Sequence, residues 1–272
     1  MPFAKTQKLL REILPQKTFD NLYNNACNLY DVYQRTKERV SSVPYYLYFI
    51  LSIQKNEVIR IEIVQKVLNH TMVSKKGVEL TYNIAYKALE LDGCFVECGV
   101  ARGGTSAVMA MIAKNEGKNR KMWMFDSYEG LPLQSDKDGI QKPIRHQNRT
   151  ASDLAQGYCL GTFQEVDHWL FHHLELSRRN VFMIKGWFKD TLPQCKNKVG
   201  DIVVLRLDGD WYESTKTCLE NLYDNVVKGG FIIIDDYHLQ GCKLAVDEYI
   251  EKLKEKPKMI NDIRDGRCYL VK

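Results

Sequence analysis

From Gly77 to the C-terminus, short apolar runs alternate with longer amphipathic runs, and this alternation constrains the fold more than any other feature. Five apolar runs have strand length and are each followed by a polar bend and a helix-like run: "CFVECG", "KMWMFDS", "NVFMIKG", "DIVVLRLDGD" and "FIIIDDY". Repeated strand–helix units predict a parallel sheet with helices on both faces, a doubly wound α/β fold. In the tail, Asp265-Gly266 lies between two further runs and predicts a closing hairpin with an antiparallel strand.

The chain before Gly77 has a different pattern. It contains no glycine, and its apolar residues recur at helical spacing, so residues 1–75 are predicted to form a helical N-terminal extension or cap. Residues 76–272 then form the α/β domain. Within that domain, residues 129–160 are polar and irregular, and so long a loop is typical of a lid over a binding site.

Composition excludes several classes of protein. The net charge of +5 is mild and no long Lys/Arg run occurs, so nucleic-acid binding is not indicated. The apolar run "YYLYFILSI" is shorter than the roughly 20 residues that a membrane span needs. The eight cysteines include no CxxC pair and the N-terminus does not resemble a signal peptide, so a cytoplasmic protein is expected.

Acidic residues are concentrated where the predicted strands end. In an open parallel sheet, ligands bind outside the carboxyl ends of the strands. Four of the five strand ends carry acids, which are Glu97, Asp126, Asp208 with Asp210, and Asp235 with Asp236, and the remaining end carries Trp187. Charged residues are rarely buried unless they are paired. Their concentration at one edge therefore predicts a ligand site.

The turn after the first strand predicts a cofactor. Gly99, Gly103 and Gly104 allow close approach of the backbone to a ligand, but their GxxxGG spacing is not the GxGxxG of a dinucleotide fold. Glu97 would repel a pyrophosphate and tolerate a cofactor with a cationic centre. Asp126, which ends the second strand, suits the hydroxyls of a ribose. A ligand-free tight turn and a helix N-cap are the alternative interpretations.

Three further aspartates predict a metal site. The fourth and fifth strands are expected to be neighbours, which brings Asp208, Asp235 and Asp236 close together. Two carboxylates about 5 Å apart repel by roughly 3 kcal/mol at an effective dielectric of 20. An oxygen-only site suits Mg²⁺, and the absence of His and Cys at these strand ends disfavours zinc. The alternative is that these acids cap helices or bind Arg206 and nearby lysines.

Two residues are candidates for the catalytic base. Asp210 lies two positions after Asp208 and could face an acceptor hydroxyl whose pKa a metal ion has lowered. His146, in the predicted lid, is the rival candidate.

Five sequence blocks, in order, resemble the macrocin O-methyltransferase family: "FVECGVARGGTS", "FDSYEGLP", "GWFKDTLP", "LRLDGDWYESTKTCLENLY" and "GGFIIIDDY". The match extends from about Thr71 to about Tyr249. Members are class I, S-adenosylmethionine- and Mg²⁺-dependent enzymes that methylate sugar hydroxyls of natural products. The resemblance implies a mostly parallel, seven-stranded methyltransferase sheet.

The resemblance also implies the site residues. Those expected to contact S-adenosylmethionine are Thr71, Met72, Val73, Glu97, Gly99, Gly103, Gly104, Thr105, Ser106, Asp126, Ser127 and Trp187. Those expected to hold Mg²⁺ are Asp208, Asp235 and Asp236, with Asp210 or a lid histidine as the base. The first 70 residues and the lid differ from the family pattern.

The sequence therefore predicts an O-methyltransferase that acts on one hydroxyl of a vicinal diol, on a sugar of a glycosylated natural product or on a glycan. A catechol-type phenolic acceptor is an alternative, since it offers the same adjacent oxygens. A metal-dependent glycosyltransferase that uses the "DGD" motif and a non-enzymatic cofactor-binding scaffold are others. The expected partner is the hydroxyl acceptor, and helical N-terminal extensions of this kind often form homodimers.

Overall fold

The computed structural model describes residues 56–139, 157–262 and 266–272. The chain from Ile63 to Lys272 forms one compact unit. Most of the predicted N-terminal extension, and the part of the predicted lid that contains His146, lie outside the described residues. Within the described ranges, no helix is both long enough and apolar enough to cross a membrane.

Seven strands of the described chain form one sheet, in the order β3-β2-β1-β4-β5-β7-β6. The strands β1 to β5 pair in parallel, and β7 pairs antiparallel with both β5 and β6. This arrangement confirms the predicted doubly wound, mostly parallel sheet and its antiparallel closing strands. The bounds are β1 Cys94–Cys98, β2 Met122–Asp126, β3 Val181–Lys185, β4 Ile202–Leu207, β5 Val226–Ile234, β6 Lys258–Asp262 and β7 Arg267–Val271.

Helices connect the parallel strands and cover the sheet. Their bounds are α1 Lys75–Lys87, α2 Gly104–Glu116, α3 Phe163–His168, α4 Phe188–Val199, α5 Tyr212–Leu222 and α6 Gln240–Glu251. Ser74 caps α1 by accepting a hydrogen bond from the backbone N–H of Gly77. The run "TFQEVDHWLFHHLEL", residues 162–176, has the apolar spacing of a single helix, but α3 gives way to a π-helical turn at Trp169–His173.

The strand order places the crevice of the sheet between β1 and β4. All residues of both strands are buried, which explains why these strands are apolar runs that only Glu97 and Arg206 interrupt. The chain adds β2 and β3 on one side of β1 and then returns to add β4 on the other side. Cys98 and Leu207 pair at the carboxyl end of this crevice, so the loops that follow them diverge around one space.

Candidate active site

A cavity of about 510 Å³ opens at the carboxyl edge of the sheet. Its volume falls within the range typical of small-molecule and cofactor sites. Residues that follow β1, β2, β4 and β5 line it, together with the segment before α1 and both described ends of the predicted lid. The cavity therefore lies where the strand-end acids predicted a ligand.

Most of the predicted cofactor residues line this cavity. Those that do are Thr71, Met72, Val73, Gly99, Thr105, Asp126, Ser127 and Trp187. The aspartates predicted for metal binding and catalysis, Asp208, Asp210, Asp235 and Asp236, also line it. The predicted cofactor residues that are not among its lining residues are Glu97, Gly103, Gly104 and Ser106.

The glycine-rich turn is shaped by packing within the protein. Gly99 has a φ of +92°, and a Cβ placed on it would lie 1.8 Å from the carbonyl oxygen of Asp208. A Cβ on Gly104 would lie 2.4 Å from Cβ of Thr71. Only glycine fits these contacts, which draw the end of β4 and the Thr71 segment against the turn. Both of those neighbours form walls of the cavity.

Asp126 holds the loops after β1 and β2 in place. Its Oδ2 accepts hydrogen bonds from the backbone N–H groups of Val100 at 2.6 Å and Ala101 at 2.9 Å. Its Oδ1 accepts from the N–H of Tyr128 at 2.6 Å. Burial raises the pKa of Asp126, although these donors oppose the rise. The carboxylate therefore orders the cavity wall as well as lining it.

Glu97 lies in a closed hydrogen-bond network. The residue is fully buried, and its oxygens accept from Thr105 Oγ1 at 2.6 Å, from Ser106 Oγ and from Arg206 Nη1 at 2.8 Å. Burial raises the pKa of Glu97 to about 7, with the nearby Arg206 charge opposing the shift. The acid that precedes the glycine turn is thus paired inside the protein.

Asp208, Asp210 and Asp236 form an acidic cluster. One carboxylate oxygen from each lies within 4.8 Å of the others, and no other such group of three potential ligands occurs in the ranges that the structure describes. Asp210 has a left-handed φ of +57°, and its N–H donates to Asp236 Oδ2 at 3.1 Å. Burial and the charges of Asp210 and Asp208 hold the pKa of Asp236 well above its usual range. Burial also raises the pKa of Asp208. A bound cation would relieve this crowding of negative charge.

Asp235 has different partners, although it adjoins Asp236. Its Oδ1 accepts from Arg206 Nη2 and from Arg267 Nε, the latter at 2.7 Å, and its Oδ2 accepts from Arg267 Nη2 at 3.2 Å. Burial favours a raised pKa for Asp235, but the charges of Arg206 and Arg267 outweigh it and lower the pKa. Asp235 is therefore already balanced by positive charge.

Sequence reasoning missed two arginines. Arg206 was named only as an alternative partner for the aspartates, yet it is fully buried and joins Glu97, Asp208 and Asp235. A charged residue inside the apolar run "VVLRLD" was the available signal. Arg267 lies in the closing hairpin, and nothing local in its sequence indicates that it reaches the cavity.

The sheet order, the glycine turn and the cavity at the switch point define a class of protein, the S-adenosylmethionine-dependent methyltransferases. The family model described as macrocin-O-methyltransferase (TylF) matches residues 53–269. The chain belongs to this family and is an O-methyltransferase.

Characterised relatives agree with the family. Demethyldecarbamoylnovobiocin O-methyltransferase of Streptomyces niveus is 34% identical over 203 residues, which cover 72% of this chain and 74% of the relative. An enzyme of Streptomyces olivaceus, 8-demethyl-8-(2,3-dimethoxy-alpha-L-rhamnosyl)-tetracenomycin-C 4'-O-methyltransferase, is 37% identical over 185 residues, or 66% of this chain and 67% of the relative.

Solved structures show the same fold. The O-methyltransferase NovP superimposes with a TM-score of 0.62 at 33% identity, over 74% of this chain and 81% of NovP. The calicheamicin methyltransferase CalS11 has a TM-score of 0.56 at 18% identity, over 79% of this chain and 92% of CalS11, and supports the fold alone.

Proposed function

We propose that this protein transfers the methyl group of S-adenosylmethionine to one hydroxyl of a vicinal diol, on a sugar of a glycosylated natural product or on a glycan, with Mg²⁺ at the site. One observation carries the proposal: the acidic cluster lines the same cavity as the predicted cofactor residues Thr71, Asp126 and Trp187. The printed names of the relatives support it, since the enzyme from Streptomyces olivaceus methylates the 4' position of a rhamnosyl group.

The cofactor is assigned to the part of the cavity that is lined by Gly99, the segment before α1 and the end of β2. Thr71, Met72 and Val73 form one wall, and Asp126 with Ser127 forms another. Glu97 is assigned to the support of this wall, because its oxygens already bind Thr105, Ser106 and Arg206. This assignment removes Glu97 from the predicted set of residues that contact the cofactor directly.

The Mg²⁺ ion is assigned to Asp208 and Asp236. Both are in the predicted ligand set and in the acidic cluster. The pKa of Asp236 is held well above its usual range by burial and by the neighbouring carboxylates, and burial raises the pKa of Asp208 although Arg206 opposes the rise. Magnesium is commonly bound by one or two carboxylates, with water and substrate oxygens as its other ligands. Asp235 is instead assigned to holding Arg206 and Arg267. When bound, the ion would lower the pKa of the acceptor hydroxyl and stabilise the alkoxide.

Asp210 is assigned as the base. It lines the cavity beside both proposed metal ligands, and its backbone N–H donates to Asp236 Oδ2 at 3.1 Å. Asp210 would accept the proton that the acceptor hydroxyl loses as its oxygen bonds to the methyl carbon. The rival base, His146, lies outside the described residues.

Two measurements test the proposal. Calorimetry should show binding of S-adenosylhomocysteine and no binding of UDP-sugars, which the glycosyltransferase alternative requires. An assay over glycosides and catechols should show Mg²⁺-dependent methylation of a glycoside diol that EDTA abolishes. Full activity in EDTA would refute the metal's role, and activity on catechols alone would refute the sugar acceptor.

The domain boundary at residue 75 stays a prediction, which limited proteolysis can test. The homodimer also stays a prediction, which light scattering can test.

A further inference from the structure

The segment Thr71–Val73 forms a wall of the cavity and is held at the end that precedes it. The turn Leu68–His70 leads into the segment. The imidazole ring of His70 stacks on the indole of Trp169, with ring centroids 4.1 Å apart and planes 13° from parallel. Neither ring is among the residues that line the cavity. The stack therefore lies outside the cavity lining, at the residue that precedes the wall.

Trp169 also lies beside the glycine turn that follows β1. The residue is buried, and a Cβ placed on Gly103 would lie 3.5 Å from Cζ3 of its indole. Trp169 begins the π-helical turn that follows α3. Turns of this type are frequent at functional sites. One indole thus stacks on the residue before Thr71 and lies beside the turn after β1.

The wall segment itself is closely fitted. Thr71 lies so near Gly104 that a Cβ there would come within 2.4 Å of Thr71 Cβ. Thr71 Oγ1 accepts a hydrogen bond from the N–H of Val73 at 3.1 Å, which fixes the local bend. Thr71 cannot move closer to Gly104, so the remaining freedom of the segment is away from the glycine turn. The His70–Trp169 stack opposes that movement.

We propose that Trp169 and His70 are positioning residues, whose stack holds the Thr71–Val73 wall against S-adenosylmethionine. This proposal rests on the proposed function, because it takes the cavity as the cofactor site. It predicts a specific kinetic pattern. Loss of the stack weakens cofactor binding, whereas kcat at saturating cofactor and the KM for the acceptor stay near their wild-type values, because the metal and base carboxylates lie on other strand ends.

The test uses Trp169→Leu with two companions. Trp169→Phe keeps an aromatic face toward His70. Phe171→Leu changes a half-buried ring of the same π-helical turn. The centroid of the Phe171 ring lies 3.9 Å from Cζ of Arg178, and Phe171 does not line the cavity. We expect Trp169→Leu to raise the dissociation constant for S-adenosylhomocysteine about tenfold, and the KM for S-adenosylmethionine similarly. We expect Trp169→Phe to stay within about threefold of wild type and Phe171→Leu to match it. His70→Leu tests the other half of the stack and should repeat the effect of Trp169→Leu.

The outcomes separate this proposal from the proposed function. If the wild-type protein fails to bind S-adenosylhomocysteine, both are refuted. If the wild type binds it and both Trp169→Leu and His70→Leu bind it equally well, the positioning role alone is refuted. An equal loss of affinity in Trp169→Leu and Phe171→Leu would also refute it, since the effect would then come from general loosening of the turn. A folding failure of Trp169→Leu leaves the decision to His70→Leu.

Discussion

Arg206 Nη1 donates a 2.7 Å hydrogen bond to Oδ2 of Asp208, the first residue after β4 and a proposed metal ligand. The same nitrogen lies 2.8 Å from Glu97 Oε1, and Nη2 of the guanidinium binds Asp235. One buried arginine therefore links the ends of β1, β4 and β5 behind the cavity. Its positive charge partly offsets the charges of Glu97, Asp208 and Asp235. Asp236 is not among the partners of Arg206 and belongs to the acidic cluster.

Replacement of Arg206 by Met should strongly destabilise the protein. Removing one partner of a buried ion pair leaves uncompensated charge and typically costs about 3–5 kcal/mol. Chemical denaturation should show this loss, and Glu97→Gln in the Arg206→Met background should recover part of it. As a control, Arg178→Met removes an exposed pair with Asp167 and should cost at most about 1 kcal/mol. Similar losses in both arginine variants would contradict the role assigned to Arg206.

Glu97 should make the stability of the cofactor-free protein depend on pH. Its pKa rises from 4.5 to about 7 on folding, so the native state holds the proton more tightly than the unfolded state. The associated stability is present below pH 4.5 and is lost as the pH rises toward 7, an effect on the order of 3 kcal/mol. Urea unfolding at several pH values should show wild type losing stability relative to Glu97→Gln over this range. A pH-independent difference would contradict the raised pKa.

Gly99→Ala should damage both stability and cofactor binding. The added Cβ would meet the carbonyl oxygen of Asp208 at 1.8 Å, and the φ of +92° is strained for alanine. Gly117→Ala separates the effect of backbone strain from the effect of the steric clash, because Gly117 has a φ of +77° but nothing lies within 4 Å of the added Cβ. We expect Gly117→Ala to cost about 1 kcal/mol of folding free energy and to leave binding of S-adenosylhomocysteine unchanged. Comparable effects of the two substitutions would show that the contact with Asp208 is unimportant.

Asp126→Ala should weaken cofactor binding at least tenfold. It removes the acceptor for the N–H groups of Val100, Ala101 and Tyr128, which shape two walls of the cavity. Hydrogen bonds to a charged group contribute about 1.5–3 kcal/mol each, so the loops should lose order. Asp126→Asn keeps one carbonyl oxygen and should have a smaller effect. Calorimetry with S-adenosylhomocysteine measures both, and unchanged affinity in Asp126→Ala would contradict this account.

The fold and the location of the site were predictable because both follow from local patterns. Each buried strand is an apolar run, and each polar strand end follows directly, so the carboxyl edge could be located before any strand order was known. The pairing of β4 with β5 was also expected, and the structure confirms it. Local patterns indicated five strands and a closing hairpin. The family resemblance independently implied a seven-stranded sheet.

The contacts that distinguish one acid from another were not predictable, because they join residues far apart in the chain. Asp235 and Asp236 are identical neighbours in the sequence, yet Asp235 receives Arg267 from β7 whereas Asp236 faces Asp208 and Asp210. The contact between His70 and Trp169 spans about a hundred residues. The π-helical turn likewise leaves no signal in the helical spacing of residues 162–176.

Divalent-ion binding to aspartate variants tests the central claim most directly. Mn²⁺ titration followed by electron paramagnetic resonance, with Mg²⁺ as competitor, should give one site in the wild-type protein. Asp208→Asn and Asp236→Asn should each weaken that site at least tenfold, whereas Asp210→Asn should keep most of the affinity and lose methyl transfer. Equal Mn²⁺ affinity in the wild type and in Asp236→Asn would contradict the proposed magnesium site.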